Sequence, residues 1–80
     1  MRAFDEGFFA AQGVRDRGVS KSAMITGRFV PFSERQRRPP HGAGWGTFYV
    51  MRGSLPVFEQ QMAYEDVLDF WRGFVQGFDL

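Results

Sequence analysis

Apolar and polar positions follow two different periods along this chain, and the first helical period begins close to its start. Residues 2–12, "RAFDEGFFAAQ", place Phe4, Phe8 and Ala11 at the i, i+4 and i+7 spacing of one helix face. Gly13 follows, and glycine is a common residue just past the end of a helix. The pattern predicts an amphipathic helix over residues 2–12.

The last segment, residues 64–80, gives the strongest helical pattern of the chain. Its predicted core face consists of Tyr64, Leu68, Trp71, Val75 and Phe78. A neighbouring apolar row of Val67, Phe70 and Phe74 makes the apolar arc wider than one contact requires. Gly73 and Gly77 lie four residues apart, and each costs about 1 kcal/mol relative to alanine in a helix. These glycines therefore indicate close packing against a neighbouring element.

Between the helices the pattern changes to that of strands. Strands are predicted at residues 23–32, 45–51 and 55–60, the last two joined by the short turn "RGS". Gly27 indicates a bulge or a close backbone approach, and Pro31 ends a strand or marks an edge. The predicted fold class is α+β, a three-stranded antiparallel sheet with both helices packed on one face.

Composition indicates one small domain, residues 1–80, with an aromatic core. Ten Phe, two Trp and two Tyr supply large apolar side chains, and the absence of cysteine excludes disulfides. No long apolar run and no secretory leader are recognisable, so we expect a cytoplasmic protein without a membrane span. One histidine and no cysteine make a structural metal site improbable on ligand grounds. We expect neither catalytic residues nor a cofactor.

The net charge of +1 conceals an uneven distribution of charge. Residues 1–57 carry nine of the ten basic side chains, whereas residues 58–80 carry Arg72 against five carboxylates. Three of these carboxylates, Glu65, Asp66 and Asp69, lie early in the second helix, where the helix dipole favours negative charge. With Tyr64 and Trp71 beside them they form a candidate surface for a basic partner.

A second candidate surface is the segment 33–44, which contains Arg35, Arg37 and Arg38 and precedes Trp45. Arginines beside an aromatic ring can hold phosphate and stack on a base, which predicts a nucleic-acid- or ribosome-binding module as the alternative function. A solvated connection between strands explains the same residues without any ligand. The sequence also leaves open whether excess apolar surface closes a homodimer or makes the protein a monomeric binder.

The whole chain resembles the anti-CRISPR proteins encoded by phages and prophages, in particular small inhibitors of the type I-C surveillance complex. The resemblance rests on the segments "RAFDEGFFAAQ", "SAMITGRFVPF", "GWGTFYVMRG" and "VLDFWRGFVQGFDL". It implies a non-enzymatic inhibitor in the cytoplasm of the bacterial host that binds a Cas protein and blocks recognition of target DNA. Many such inhibitors are acidic DNA mimics, and this chain departs from that pattern in its net charge of +1.

Overall fold

The fold consists of two helices and a three-stranded sheet. The computed structural model describes residues 2–21, 24–32 and 44–80 of the chain. The elements are helix α1 (Ala3–Asp16), strands β1 (Ile25–Pro31), β2 (Trp45–Arg52) and β3 (Leu55–Ala63), and helix α2 (Val67–Phe78). A 3₁₀ turn, Tyr64–Asp66, leads directly from β3 into α2. This order confirms the predicted α+β arrangement.

The sheet is antiparallel, with β2 in the centre and β1 and β3 at its edges. Phe48 of β2 lies opposite Phe29 of β1 and Gln60 of β3. Gly53 closes the β2–β3 turn with a φ of +63°, a left-handed conformation that favours glycine. Pro31 is the last residue of β1, so the proline ends the strand as its position in the sequence indicates.

Helix α2 packs on the sheet through a different face from the one predicted. The residues that it buries are Phe70, Gly73, Phe74, Gly77 and Phe78, and only the last belongs to the predicted set. The ring of Phe70 contacts Phe48 and Phe58 of the sheet, with centroids 5.6 Å and 6.0 Å away. Tyr64 and Leu68 are exposed instead. The helix must bury its glycine stripe against α1, and this requirement rotates the predicted face toward solvent.

The two helices run parallel and are in backbone contact. A Cβ on Gly73 would collide with the carbonyl oxygen of Phe4, and one on Gly7 would collide with the carbonyl oxygen of Phe70. Gly77 continues the contact, since its Cβ would lie 2.6 Å from the carbonyl oxygen of Phe8. Small residues thus let the two backbones approach, which is the close packing that Gly73 and Gly77 indicate in the sequence.

Helix α1 extends beyond its predicted end. It passes through Gly13 and ends at Asp16, and Gly18 takes the positive φ of +90° just after the helix. The added turn is held because Val14 is completely buried. The buried face of α1 consists of Gly7, Ala11 and Val14, so Phe4 and Phe8, which were predicted to face the core, are only half-buried.

The face of the sheet opposite the helices carries mostly polar or partly exposed side chains. Arg28, Tyr49 and Glu59 lie next to one another in a row across the three strands. Within the described ranges, no helix is long and apolar enough to cross a membrane.

Candidate functional site

The predicted binding residues that the structure describes gather at one end of the molecule, around the start of α2. Trp45 at the beginning of β2 lies opposite Ala63 at the end of β3. The backbone N–H of Tyr64 donates to the carbonyl oxygen of Gly44, at 2.8 Å, and fixes the 3₁₀ turn beside β2. The remaining members of the group are Glu65, Asp66, Asp69 and Trp71. The predicted arginines Arg35, Arg37 and Arg38 lie outside the described residues.

On one side of the α2 start lies a polar cleft of about 670 Å³ between the two helices and the sheet. Asp66, Asp69 and Glu6 of α1 supply three carboxylates to it, and Arg2 supplies one guanidinium. Trp45 forms part of its wall and is more than half exposed, at 55%. Glu6 was not among the predicted site residues. It lies in the first turn of α1, as Asp69 lies in the first turn of α2, and this position of an acidic residue can be recognised in the sequence. We call this depression the acidic cleft.

On the other side of the α2 start lies an apolar groove of about 490 Å³ between α2 and β1. The rings of Phe48 and Trp71 form its floor over Gly27, where a Cβ would lie 2.7 Å from Phe48 Cζ and 3.1 Å from Trp71 Cε3. Phe29, Tyr64 and Leu68 form its walls, and Glu65 is the one charged residue that lines it. The sequence did not predict this groove, because it depends on which face of α2 is buried.

The first turns of α2 form a ridge between the acidic cleft and the apolar groove. Tyr64 and Leu68 on this ridge are 56% and 57% exposed, although both are large and apolar in most of their area. Asp69 lies 3.8 Å from Arg72 in a solvent-exposed i, i+3 ion pair, which contributes little to stability. Neither Glu65 nor Asp66 pairs with a base among the residues that the structure describes. The ridge therefore offers apolar and anionic groups together.

The parallel helices give the molecule an acidic pole and a basic pole. Both helix N-termini lie at the pole that carries the cleft, where carboxylates stabilise the helix dipoles. The opposite pole carries more bases than acids, namely Arg15, Arg17, Lys21 and Arg52 beside Asp16 and Asp79. Lys21 lies 4.0 Å from Asp79 in an exposed ion pair, and Arg15 Nη1 donates to the Gly77 carbonyl oxygen at 3.2 Å. The dipole accounts for the acids at the first pole, but it does not account for the exposed apolar side chains beside them.

The acidic pole combines a cleft lined by carboxylates with exposed aromatic side chains, an arrangement that can bind a basic partner. Glu6, Asp66 and Asp69 line one cleft, yet in the described part of the chain no three such side chains are placed to hold a metal ion. Aromatic anchors beside charged groups are typical of protein interfaces. Comparison with protein-family models, with curated proteins and with solved structures finds no match to this chain.

Proposed function

We propose that the protein is a non-catalytic inhibitor that binds another protein through its acidic pole. The observation that carries this proposal is the ridge at the start of α2, where Tyr64 and Leu68 are exposed beside Glu65 and Asp66. Exposed apolar patches with a polar rim mark interaction sites, since leaving them in water is unfavourable. The proposal predicts a partner with basic side chains around an apolar depression.

A nucleic-acid-binding surface of a protein has this chemistry. It carries Arg and Lys to contact phosphates, so the carboxylates Glu65, Asp66 and Asp69 complement it. Once bound, the inhibitor occupies the path of the nucleic acid and blocks it sterically. The resemblance to small anti-CRISPR proteins supports, as the proposed target, a Cas subunit of a type I surveillance complex in the cytoplasm of the bacterial host.

A few aromatic side chains are expected to supply most of the binding energy. Interface energy concentrates in Trp, Tyr and Arg residues near the centre of the contact, which commonly covers about 800 Å² per partner. Tyr64 and Trp71 line the apolar groove, and Trp45 lines the acidic cleft. A partner centred on the ridge would reach all three.

The test reverses charge at the acidic pole and compares it with an equal change elsewhere. We expect Glu65→Lys with Asp69→Lys to weaken binding to a purified, nuclease-treated type I-C surveillance complex by at least about tenfold, because both charges would then repel the basic target. Asp16→Lys with Glu59→Lys makes the same change in net charge at exposed positions outside the pole. This control should bind as the original protein does, and thermal unfolding of all three establishes that they are folded.

Two results would contradict the proposal. Equal affinity of the two double variants for the complex would remove the acidic pole from the contact. Binding that is lost on nuclease treatment, with a steep salt dependence, would indicate direct nucleic-acid binding, for which log affinity falls by about 0.7–0.9 per log unit of salt for each phosphate neutralised. In that case Ala substitutions at Arg35, Arg37 and Arg38 would abolish the binding.

A further inference from the structure

Among the residues that the structure describes, strand β1 pairs with β2 alone, and its hydrogen bonds show which residues face its other, unpaired edge. The N–H of Phe32 donates to the carbonyl oxygen of Trp45 at 3.1 Å, and the N–H of Gly53 donates to the carbonyl oxygen of Met24 at 2.9 Å. In an antiparallel pair, successive residues alternate between bonding the neighbouring strand and pointing away from it. The even-numbered residues of β1 therefore bond to β2. Ile25, Gly27 and Phe29 direct their main-chain N–H and C=O groups outward, where the described chain has no further strand.

The same three residues direct their side chains toward the helices. Side chains alternate between the two faces of a strand, so the residues that are free to bond at the edge are also those facing the apolar groove. Gly27 and Phe29 line that groove, and Ile25 is buried beside the core. A strand added at this edge would thus place every second side chain against the groove, and an apolar residue opposite Gly27 would cover the rings of Trp71 and Phe48.

We propose that the occupant of this edge is β1 of a second copy of the chain, paired antiparallel about a two-fold axis through Arg28. In this register Gly27 lies opposite the partner's Phe29, and Ile25 lies opposite the partner's Pro31. Each Gly27–Phe29 pair exchanges two main-chain hydrogen bonds. Each Ile25 N–H donates to the carbonyl oxygen of the partner's Pro31. This pair forms one hydrogen bond instead of two, because proline has no N–H. The Phe29 ring of each copy stays over its own sheet, beside Gly46 and with its centroid 5.4 Å from that of Tyr64, so the main-chain ladder carries the pairing.

At the axis itself the two Arg28 side chains are a like-charge pair that opposes association, whereas the surfaces on either side of the axis are complementary. It stands perpendicular to the sheet, so both helix pairs lie on the same face of one continuous sheet and the two apolar grooves meet across the axis. The exposed Leu68 of one copy then lies near the groove of the other. Because the strands are antiparallel, the acidic pole of each copy lies beside the partner's basic pole, where Arg52 ends β2 and Lys21 is paired with Asp79 of its own chain. The acidic cleft, on the far side of α2, stays open.

The first experiment is sedimentation velocity of the wild-type chain from roughly 1 μM to 200 μM, because a dimer's population depends on protein concentration. We expect the mass to rise to that of two chains over this range. Leu68→Glu should shift the rise to at least about tenfold higher concentration, since it places a charge in the joined grooves. Leu55→Glu changes an equally exposed leucine at the β2–β3 turn and should leave the equilibrium unchanged.

Cysteine cross-linking tests the register, and the chain offers a clean background because it contains no cysteine. Arg28 meets its own copy as a non-hydrogen-bonded pair, with Cα atoms about 4.5 Å apart, a distance that a disulfide spans. We expect Arg28→Cys to form a disulfide dimer under mild oxidation. Thr26→Cys is the matched control at the neighbouring exposed position. Its two copies would lie about 14 Å apart along the strands and should cross-link at least about tenfold more slowly.

Three outcomes would overturn the proposal. A wild-type chain that stays monomeric throughout the concentration range has no self-association to explain. Cross-linking of Thr26→Cys as fast as that of Arg28→Cys would mean that the register is wrong. Hydrogen exchange in which the Gly27 and Phe29 amides become protected only when a different protein is added would assign the edge to a strand of that protein. The dimer shares the groove residues Tyr64 and Leu68 with the proposed inhibitor surface. The charge reversal at Glu65 and Asp69 uses other variants and measures binding to a different protein, so the dimer and the inhibitor function can fail separately.

Discussion

At the scale of single residues, two glycines of opposite energetic effect lie in the helices. Gly73 is required because the carbonyl oxygen of Phe4 occupies the space that its Cβ would take. Gly13 lies in the last turns of α1, and a Cβ there would meet nothing within 4 Å. The first glycine permits the contact between the helices, whereas the second only weakens its own helix.

These two positions predict stability changes of opposite sign. Gly73→Ala should lower the free energy of unfolding by at least about 2 kcal/mol, because the helices must separate to admit the methyl group. Gly13→Ala should raise it by up to about 1 kcal/mol, the difference in helix propensity between the two residues. Urea unfolding followed by circular dichroism measures both. A tolerated Gly73→Ala would show that α1 and α2 do not pack at this distance.

At the scale of elements, the orientation of α2 decides which apolar residues form the core and which form the candidate site. Phe74 is completely buried and its ring stacks on that of Phe78, with centroids 5.5 Å apart. Leu68, two turns earlier, is largely exposed on the ridge. Both residues are apolar enough for a core. Phe74 belongs to the core and Leu68 to the surface because their side chains lie on different faces of the helix.

The buried face of α2 predicts a large difference between two alanine substitutions. Phe74→Ala should cost about 3–5 kcal/mol of unfolding free energy, since it leaves a cavity among stacked rings. Leu68→Ala should cost less than about 0.5 kcal/mol when measured at a concentration where the chain is monomeric. Chemical denaturation of each variant against the original protein measures these values. Equal costs would place Leu68 in the core, as the sequence pattern alone predicts.

At the scale of the whole molecule, helices and sheet share one hydrophobic core. Ala11 and Val14 of α1, Phe48 and Val50 of β2, and Phe70 and Phe74 of α2 belong to the same buried cluster. The basic pole adds long-range ties, since Arg17 Nη2 of the α1 end donates to the carbonyl oxygen of Val57 in β3 at 3.2 Å. No described element has a separate core.

A single shared core predicts that the chain unfolds in one cooperative step. Tryptophan fluorescence reports on Trp71 beside the sheet and on the more exposed Trp45, and far-ultraviolet circular dichroism reports on both helices. The two signals should give coincident transitions in urea. The same holds for thermal unfolding at low protein concentration. Loss of helical signal before the fluorescence change would mean that α1 separates from α2 as an independent unit.

Much of the fold could be predicted from local patterns, because helix and strand periods are short-range properties. The strands predicted at 23–32, 45–51 and 55–60 are observed as Ile25–Pro31, Trp45–Arg52 and Leu55–Ala63. The helix pattern places the end of α1 at residue 12, four residues before the observed end at Asp16, because glycine at position 13 is typical of a helix stop. Gly18 ends the helix, since the burial of Val14 favours one more turn before it.

Local sequence patterns were enough to predict the order of elements, the antiparallel sheet, the tight glycine contact and the acidic start of α2. Each of these follows from residue types at short spacing. Which side of α2 faces the sheet depends on the packing of the two helices, because two apolar rows of α2 compete for the core and its glycines must contact α1. That choice exposes Tyr64 and Leu68, opens the groove beside the free edge of β1, and brings Glu6 to the same cleft as Asp66. These contacts depend on how the helices pack on the sheet, and the spacing of residues along the chain does not specify that packing.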